Sequence, residues 1–222
     1  MIVLRHVNLS SHAAPDYRRS PGGRAARSPP LMLKPPKTIV LVGLMGAGKT
    51  SIGRRLAARL GLPFVDADSE IEVAAGRTIE EIFDSQGEAF FRDGERRVIA
   101  RLLDDPVHVL ATGGGAFLDE RTRAKIRERA ISIWVRARLD ILVQRTARRS
   151  NRPLLKHGEP RQILAQLIAE RHPVYAVADI IIDSEDGPAD ALVEHAIREL
   201  ERYLGARADG AAPAGRAEGA LP

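Results

Sequence analysis

Residues 38–50 read Thr38-Ile39-Val40-Leu41-Val42-Gly43-Leu44-Met45-Gly46-Ala47-Gly48-Lys49-Thr50. The first five are β-branched or apolar and predict a buried strand. The next eight fit G-x-x-x-x-G-K-[ST]. Beyond them Ile52, Leu56 and Leu60 recur every four residues, as on an amphipathic helix. Strand, glycine loop and helix in that order are the setting a phosphate loop requires. The glycines let successive backbone N–H groups converge on phosphate oxygens, and the helix N-terminus adds its dipole. The candidate nucleotide-binding residues here are Gly46, Ala47, Gly48, Lys49, Thr50 and Ser51. Lys49 suits the β- and γ-phosphates, and the Thr50 hydroxyl suits Mg²⁺. A glycine-rich turn without a ligand is the bland alternative, and the flanking strand and helix argue against it.

Outward from this unit, short β-branched runs alternate with longer amphipathic stretches. Strands are expected at Thr38–Val42, Pro63–Val65, Val107–Ala111, Ile131–Val135 and Asp179–Ile182. Helices are expected at about 49–60, 67–75, 78–103, 119–129, 138–148, 160–172 and 188–203. Within the third, Ile79, Ile82, Phe83 and Phe90 keep helical spacing, and Phe91, Val98 and Leu102 continue it. Five buried strands separated by helices imply right-handed crossovers. The fold class is therefore α/β: a three-layer P-loop sandwich with a five-stranded parallel sheet flanked by helices.

The chain has 222 residues, 34 Lys and Arg against 29 Asp and Glu, and no cysteine. Disulfides, thiolate metal sites and cysteine nucleophiles are thereby excluded. There is no uncharged apolar run of about 18 residues, so no membrane partner is expected. The net charge of +5 sits in residues 1–36, which hold six Lys and Arg against Asp16 alone. Residues 205–222 are neutral, and so is the body, 37–204. A body without excess charge is a poor binder of nucleic acid. The segment 1–36, rich in Ser, Ala, Pro, Gly and Arg, reads as a disordered basic arm. It shares a bias with organellar transit peptides but has no clear amphipathic helix, and is read as dispensable, with Met32 nearer the start. The tail, 205–222, reads as disordered too.

A GTPase needs Asn-Lys-x-Asp, which is absent. Asp84-Ser85-Gln86-Gly87 fits D-x-x-G but follows a helical run instead of a strand. What remains is a small-molecule kinase with an acceptor pocket at the carboxyl edge of the sheet. Asp66 and Asp68 close the second strand, where i and i+2 share a side in extended chain. Two carboxylates beside a polyphosphate are tolerable if one serves Mg²⁺ and the other an acceptor hydroxyl. The plainer alternative makes Asp68 a helix N-cap. Thr112-Gly113-Gly114-Gly115 follows the third strand, where bare backbone can approach a ligand. Arg92 and Glu95 lie three apart on one helical face, opposite no obvious core position. An arginine there is ordinarily a solvated charge.

Together these features resemble the shikimate kinase family. The matches are Gly-Leu-Met-Gly-Ala-Gly-Lys-Thr at 43–50, Asp-Ala-Asp at 66–68, Phe-Arg-x-x-Glu at 91–95 and Gly-Gly-Gly at 113–115. Arg152-Pro153-Leu154-Leu155 and Glu170-Arg171-His172-Pro173-Val174-Tyr175 follow in order and spacing. The resemblance covers about 37–203. It implies a nucleoside monophosphate kinase-like fold and ATP-dependent phosphorylation of the shikimate 3-hydroxyl, a cytoplasmic step of aromatic amino-acid synthesis by an enzyme expected to be monomeric. Its implied partners are shikimate and ATP, its cofactor Mg²⁺.

It also implies roles. Arg92 and Arg171 would hold the shikimate carboxylate, since guanidinium forks suit planar oxyanions. Asp68 would accept from the ring hydroxyls and Gly113, Gly114 and Gly115 would lie against the ring. Asp66 would join Thr50 at magnesium. Residues 148–159 would form the lid, with Arg152 closing on the phosphates, and Arg145 and Pro188 would flank adenine. Lys49, Asp68 and Arg152 are the catalytic candidates. Two departures stand out. Asp93-Gly94 predicts local bending near Arg92, and the acidic loop 184–188 disfavours a cationic clamp on adenine. The rival readings are another small-acceptor kinase of this fold, such as a gluconate kinase, and a non-catalytic nucleotide-binding relative.

Overall fold

β1 (Thr38–Val42) is buried along its whole length because it is the middle strand of the sheet. The structure, a computed structural model, describes residues 33–147 and 159–208. From β1 the chain runs through α1 (Lys49–Leu60), β2 (Phe64–Asp66), α2 (Ala67–Ala75), α3 (Ile79–Leu102) and β3 (Val109–Ala111). A 3₁₀ turn (Ala116–Leu118) leads to α4 (Glu120–Arg129), β4 (Ala130–Ala137) and α5 (Leu139–Ala147), then α6 (Pro160–Tyr175), β5 (Ile180–Ser184) and α7 (Ala189–Ala208). The spatial order is β2-β3-β1-β4-β5, every pair parallel. The expected five-stranded parallel sheet is thus present. α1 and α7 pack together over one face, and α3, α4, α5 and α6 cover the other. The strand order reverses at β1, between β3 and β4, so the phosphate loop opens where such sheets bind ligands.

Most elements lie within a few residues of expectation, and three departures have a clear physical reason. β4 and β5 run on through Arg136 and Asp183, which face outward and form a two-pronged ion pair across the strands at 2.5 and 2.7 Å. An outward charge is tolerated on an edge strand, whose burial here alternates. α3 is not one straight helix. Gly87, at φ 79° and ψ 174°, interrupts it and resets the phase, so Phe91 is buried and Phe90 is 49% exposed. The bend is therefore at Gly87, and Gly94 stays helical. Phe91 joins Ile71 and Ile82 in a small core of its own under α2 and α3. α7 continues to Ala208, past the expected start of the tail at Gly205.

At the other end, Leu33 packs on the main core and Pro35 is buried, although both belong to the segment read as an arm. The rest of that arm, residues 148–158 of the expected lid (148–159) and the last fourteen residues lie outside the described residues. Leu33 and Pro35 together cover on the order of 1–2 kcal/mol of apolar surface. A chain starting at Met32 should therefore keep its melting temperature, while one starting at Lys37 should melt a few degrees lower, at about 2–4 °C per kcal/mol for a domain of this size. Calorimetry on the two truncations checks this.

Candidate active site

The phosphate loop passes between β1 and α1 with its glycines at positive φ, where other residues are strained. A Cβ on Gly43 would stand 2.6 Å from the Val135 carbonyl and against the Trp134 ring, so the first loop position also demands bare backbone. Lys49 Nζ lies over the loop and donates to the Gly43 and Leu44 carbonyls at 2.8 and 3.0 Å. Thr50 Oγ1 donates to Asp66 Oδ2 at 2.9 Å. A cleft of about 1020 Å³ extends from here, lined by the loop, Asp66, Asp68, Thr112, Gly113, Gly114, Arg145 and the segment 183–188.

The two aspartates divide differently from the extended-chain reading. β2 stops at Asp66, and the chain turns into α2 at once, so Asp68 sits in the first helical turn. Asp66 is the helix N-cap, accepting from the Asp68 N–H at 3.2 Å. The cap that sequence offered to Asp68 thus belongs to Asp66. One carboxylate turns toward Thr50, and the other reaches the third strand, its Oδ1 2.9 Å from where a Cβ on Gly113 would be. Glu95 Oε1 lies equally close to that point.

Thr50 Oγ1 and Asp66 Oδ2 are hard oxygen donors at the foot of the phosphate loop. Among the described residues no group of three or more His, Cys, Asp or Glu could cage a metal. That donor set fits Mg²⁺, which keeps waters and phosphate oxygens and takes only one or two protein oxygens.

Gly114 and Gly115 carry the other candidates. The Gly114 carbonyl accepts from Arg171 Nη1 at 3.5 Å and from the Tyr175 hydroxyl. Tyr175 is fully buried, and burial pushes its hydroxyl up to about 12, so it remains a donor at neutral pH. A Cβ on Gly115 would overlap the guanidinium of Arg92. Arg92 Nη1 in turn donates to Glu95 Oε2 at 2.7 Å. Glu95 is buried, and burial raises its pKa even though Arg92 opposes this; Asp68 and Asp119 raise it further. Burial disfavours charge on Arg92, yet Glu95 and Glu88 hold its pKa above the ordinary value.

On the opposite wall, Arg145 donates to the Ala47 carbonyl at 3.3 Å, Ser184 Oγ at 2.8 Å and the Glu185 carbonyl at 2.8 Å. It therefore straps the phosphate loop to the segment 184–188, using that segment's carbonyls and hydroxyl and leaving its carboxylates aside. Pro188, Leu192 and His195 line the same end of the cleft. Arg152 lies outside the described residues.

The sequence profile of the shikimate kinase family matches residues 45–201. The shikimate kinases of Rhodopseudomonas palustris and Paramagnetospirillum magneticum are 56% and 57% identical over 168 residues, 76% of this chain and 83% and 86% of theirs. This chain belongs to the shikimate kinase family. Shikimate kinase from Acinetobacter baumannii in complex with shikimate, a solved structure, is 40% identical with a TM-score of 0.72, covering 75% of this chain and 93% of that one. A gluconokinase from Sinorhizobium meliloti, 19% identical with a TM-score of 0.54, covers 80% of this chain and 98% of its own and shares the fold alone.

Set beside the family's motifs, Glu95 and Tyr175 are the residues whose parts sequence reasoning did not assign. Both stood in matched motifs, and a buried partner for Arg92 and a buried hydroxyl for Gly114 were the signals available. The glycine contacts generate a paired prediction. Gly115→Ala must push Arg92 off its partner and forfeit charge-assisted bonds worth about 1.5–3 kcal/mol, so the acceptor KM should rise roughly tenfold or more with the ATP KM steady. Gly94 has no neighbour within 4 Å of a Cβ. Gly94→Ala should instead raise stability by about 1 kcal/mol and leave acceptor kinetics alone. Steady-state kinetics and urea melts separate the two.

Proposed function

We propose that this chain transfers the γ-phosphoryl group of ATP to the 3-hydroxyl of shikimate, giving shikimate 3-phosphate and ADP. One observation carries the reading beyond family membership: Asp66 and Asp68, two residues apart, serve the two halves of one cleft. Asp66 pairs with Thr50 under the phosphate loop, while Asp68 turns to the bare backbone of Gly113.

In this reading the backbone of 46–51 and Lys49 cradle the triphosphate, and α1 adds its N-terminal dipole. Thr50 and Asp66 would hold Mg²⁺, which neutralises charge on the β- and γ-oxygens. Arg145 and Pro188 border the base, and Arg152 would close over the phosphates from the lid. On the acceptor side, Arg92 and Arg171 would bind the carboxylate, and Gly113–Gly115 would support the ring. Asp68 would accept from the reacting hydroxyl and so aim its oxygen at the γ-phosphorus. As the new P–O bond forms and the bond to ADP breaks, the hydroxyl proton leaves toward Asp68 or solvent. Such transfer needs positioning and charge stabilisation more than a strong base.

No helix among the described residues is long and apolar enough to cross a membrane. Cytoplasmic location, a monomeric state and the absence of a nucleic-acid partner belong to this reading, supported by the family likeness and the neutral charge of the body.

Lys49→Ala should lower kcat by about 10² or more, because Lys49 meets charge that builds in the transition state. Asp68→Asn should depress turnover strongly with ATP affinity near normal; turnover close to wild type would remove Asp68 from the hydroxyl. A separate test concerns the carboxylate. Lysine cannot reproduce the planar fork, so Arg92→Lys should weaken shikimate binding roughly 10- to 100-fold. Shikimate carboxamide, being neutral, should bind the wild type poorly and lose much less in that variant. Equal losses for acid and amide would mean that Arg92 supports the fold and does not read the substrate.

A further inference from the structure

Arg92 does not wait with its guanidinium open. Its Nε and Nη2, the edge best shaped for a carboxylate, both donate to Glu88 Oε1, at 3.2 and 3.0 Å. Its Nη1 donates to Glu95 Oε2, and its face lies over the Phe91 ring at 5.0 Å. Two carboxylates thus hold the same cation in place, and they differ in one decisive respect. The Glu95 side chain is 4% exposed, wedged against Gly113, whereas that of Glu88 is 63% exposed. Only Glu88 can leave without stranding a buried charge.

Its place in the chain fits such a departure. Glu88 follows Gly87, whose backbone breaks α3, so it stands at the start of the helical segment that carries Phe91 and Arg92 one turn on and Glu95 two turns on. A carboxylate at a helix start is stabilised by the dipole, so it persists as an anion when released to water. Exposed ion pairs of this kind are weak and exchange readily for a better-placed oxyanion.

We propose that Glu88 is a built-in stand-in for the acceptor's carboxylate. It occupies the fork of Arg92 in the free enzyme, keeps that fork aimed, and must be displaced by the incoming acid. Glu88 thereby lowers acceptor affinity and ties binding to a ligand able to replace it charge for charge. The inference rests on the reading of Arg92 as the carboxylate clamp.

The test is titration calorimetry of the whole chain with shikimate and with shikimate carboxamide, on wild type, Glu88→Gln and Glu88→Ala. Gln keeps the shape without the charge, and Ala removes the contact. Shikimate should bind both variants about two- to fivefold more tightly, the span of an exposed ion pair, with Ala at least as far from wild type as Gln. The carboxamide should change much less, because it never displaced Glu88. Unchanged or weaker shikimate binding in both variants would overturn the proposal and make Glu88 a support for Arg92. Equal tightening of acid and amide would overturn it as well, since competition for the fork discriminates between them. Should wild type itself bind acid and amide alike, the clamp reading fails first, and this proposal with it.

Discussion

The site depends on three consecutive α-carbons without side chains. Gly113 lies where Asp68 and Glu95 converge, Gly114 faces the phosphate-loop backbone at Gly43 and Met45, and Gly115 lies under the guanidinium of Arg92. The neighbours come from three elements: α2 and α3 at Gly113, the loop after β1 at Gly114, and α3 at Gly115. The glycine run after β3 is therefore the surface on which the phosphate loop, Asp68, Arg92 and Glu95 all converge. Thr112 secures it to the sheet, its hydroxyl donating to the Leu41 carbonyl at 3.0 Å, and Tyr175 secures it from α6.

That arrangement explains why an ion pair as unfavourable to bury as Arg92–Glu95 is present. Removing charges from water costs several kcal/mol per ion, and mutual attraction only partly returns it. The raised Glu95 pKa reflects this cost. Arg92, 30% exposed in its side chain, keeps one side toward water and so carries the smaller share of the penalty. A guanidinium held on one edge by a buried partner is already oriented for a planar oxyanion, so less ordering cost falls on the binding step.

Much of this was legible in residues read singly or in short motifs. The strand–loop–helix unit at 38–60 needs only local chemistry, and it led to the sheet centre and the phosphate site. Motif spacing singled out Arg92, Asp68 and the three glycines, and the structure brings them together, because such spacing carries information about contacts that periodicity lacks. What was illegible depended on phase or on burial. Gly87 shifts the helical phase by its own backbone angles, so Phe91 is buried as the pattern has it while Phe90, also in the pattern, is exposed. The extended-chain argument failed at Asp68 because α2, expected and found from Ala67, already holds that residue in its first turn. Burial of Glu95 requires α3 to lie against the glycine run after β3, a contact between segments that no local pattern encodes. Likewise the strap from Arg145 to Ala47 and Glu185 spans 98 and 40 residues.

The two halves of the site also share a wall on the far side of β1. Gly43 rests on the ring of Trp134, which meets the edge of His172 at a centroid distance of 4.8 Å. Burial, helped by the nearby Arg136, lowers the His172 pKa, so the ring packs against the indole as a neutral group at pH 7. The residue before His172 is Arg171, which reaches Gly114, and three residues later Tyr175 reaches the same carbonyl. One turn of α6 thus packs His172 on Trp134, the ring that lies against Gly43, and reaches the Gly114 carbonyl with Arg171 and Tyr175. Pro173 within that turn removes a backbone donor and restricts φ, which limits how far the turn can relax independently of the helix. A shift of α6 large enough to move Arg171 would therefore also disturb the packing under Gly43, so the distance between the phosphate loop and Arg171 is held by packing that belongs to both.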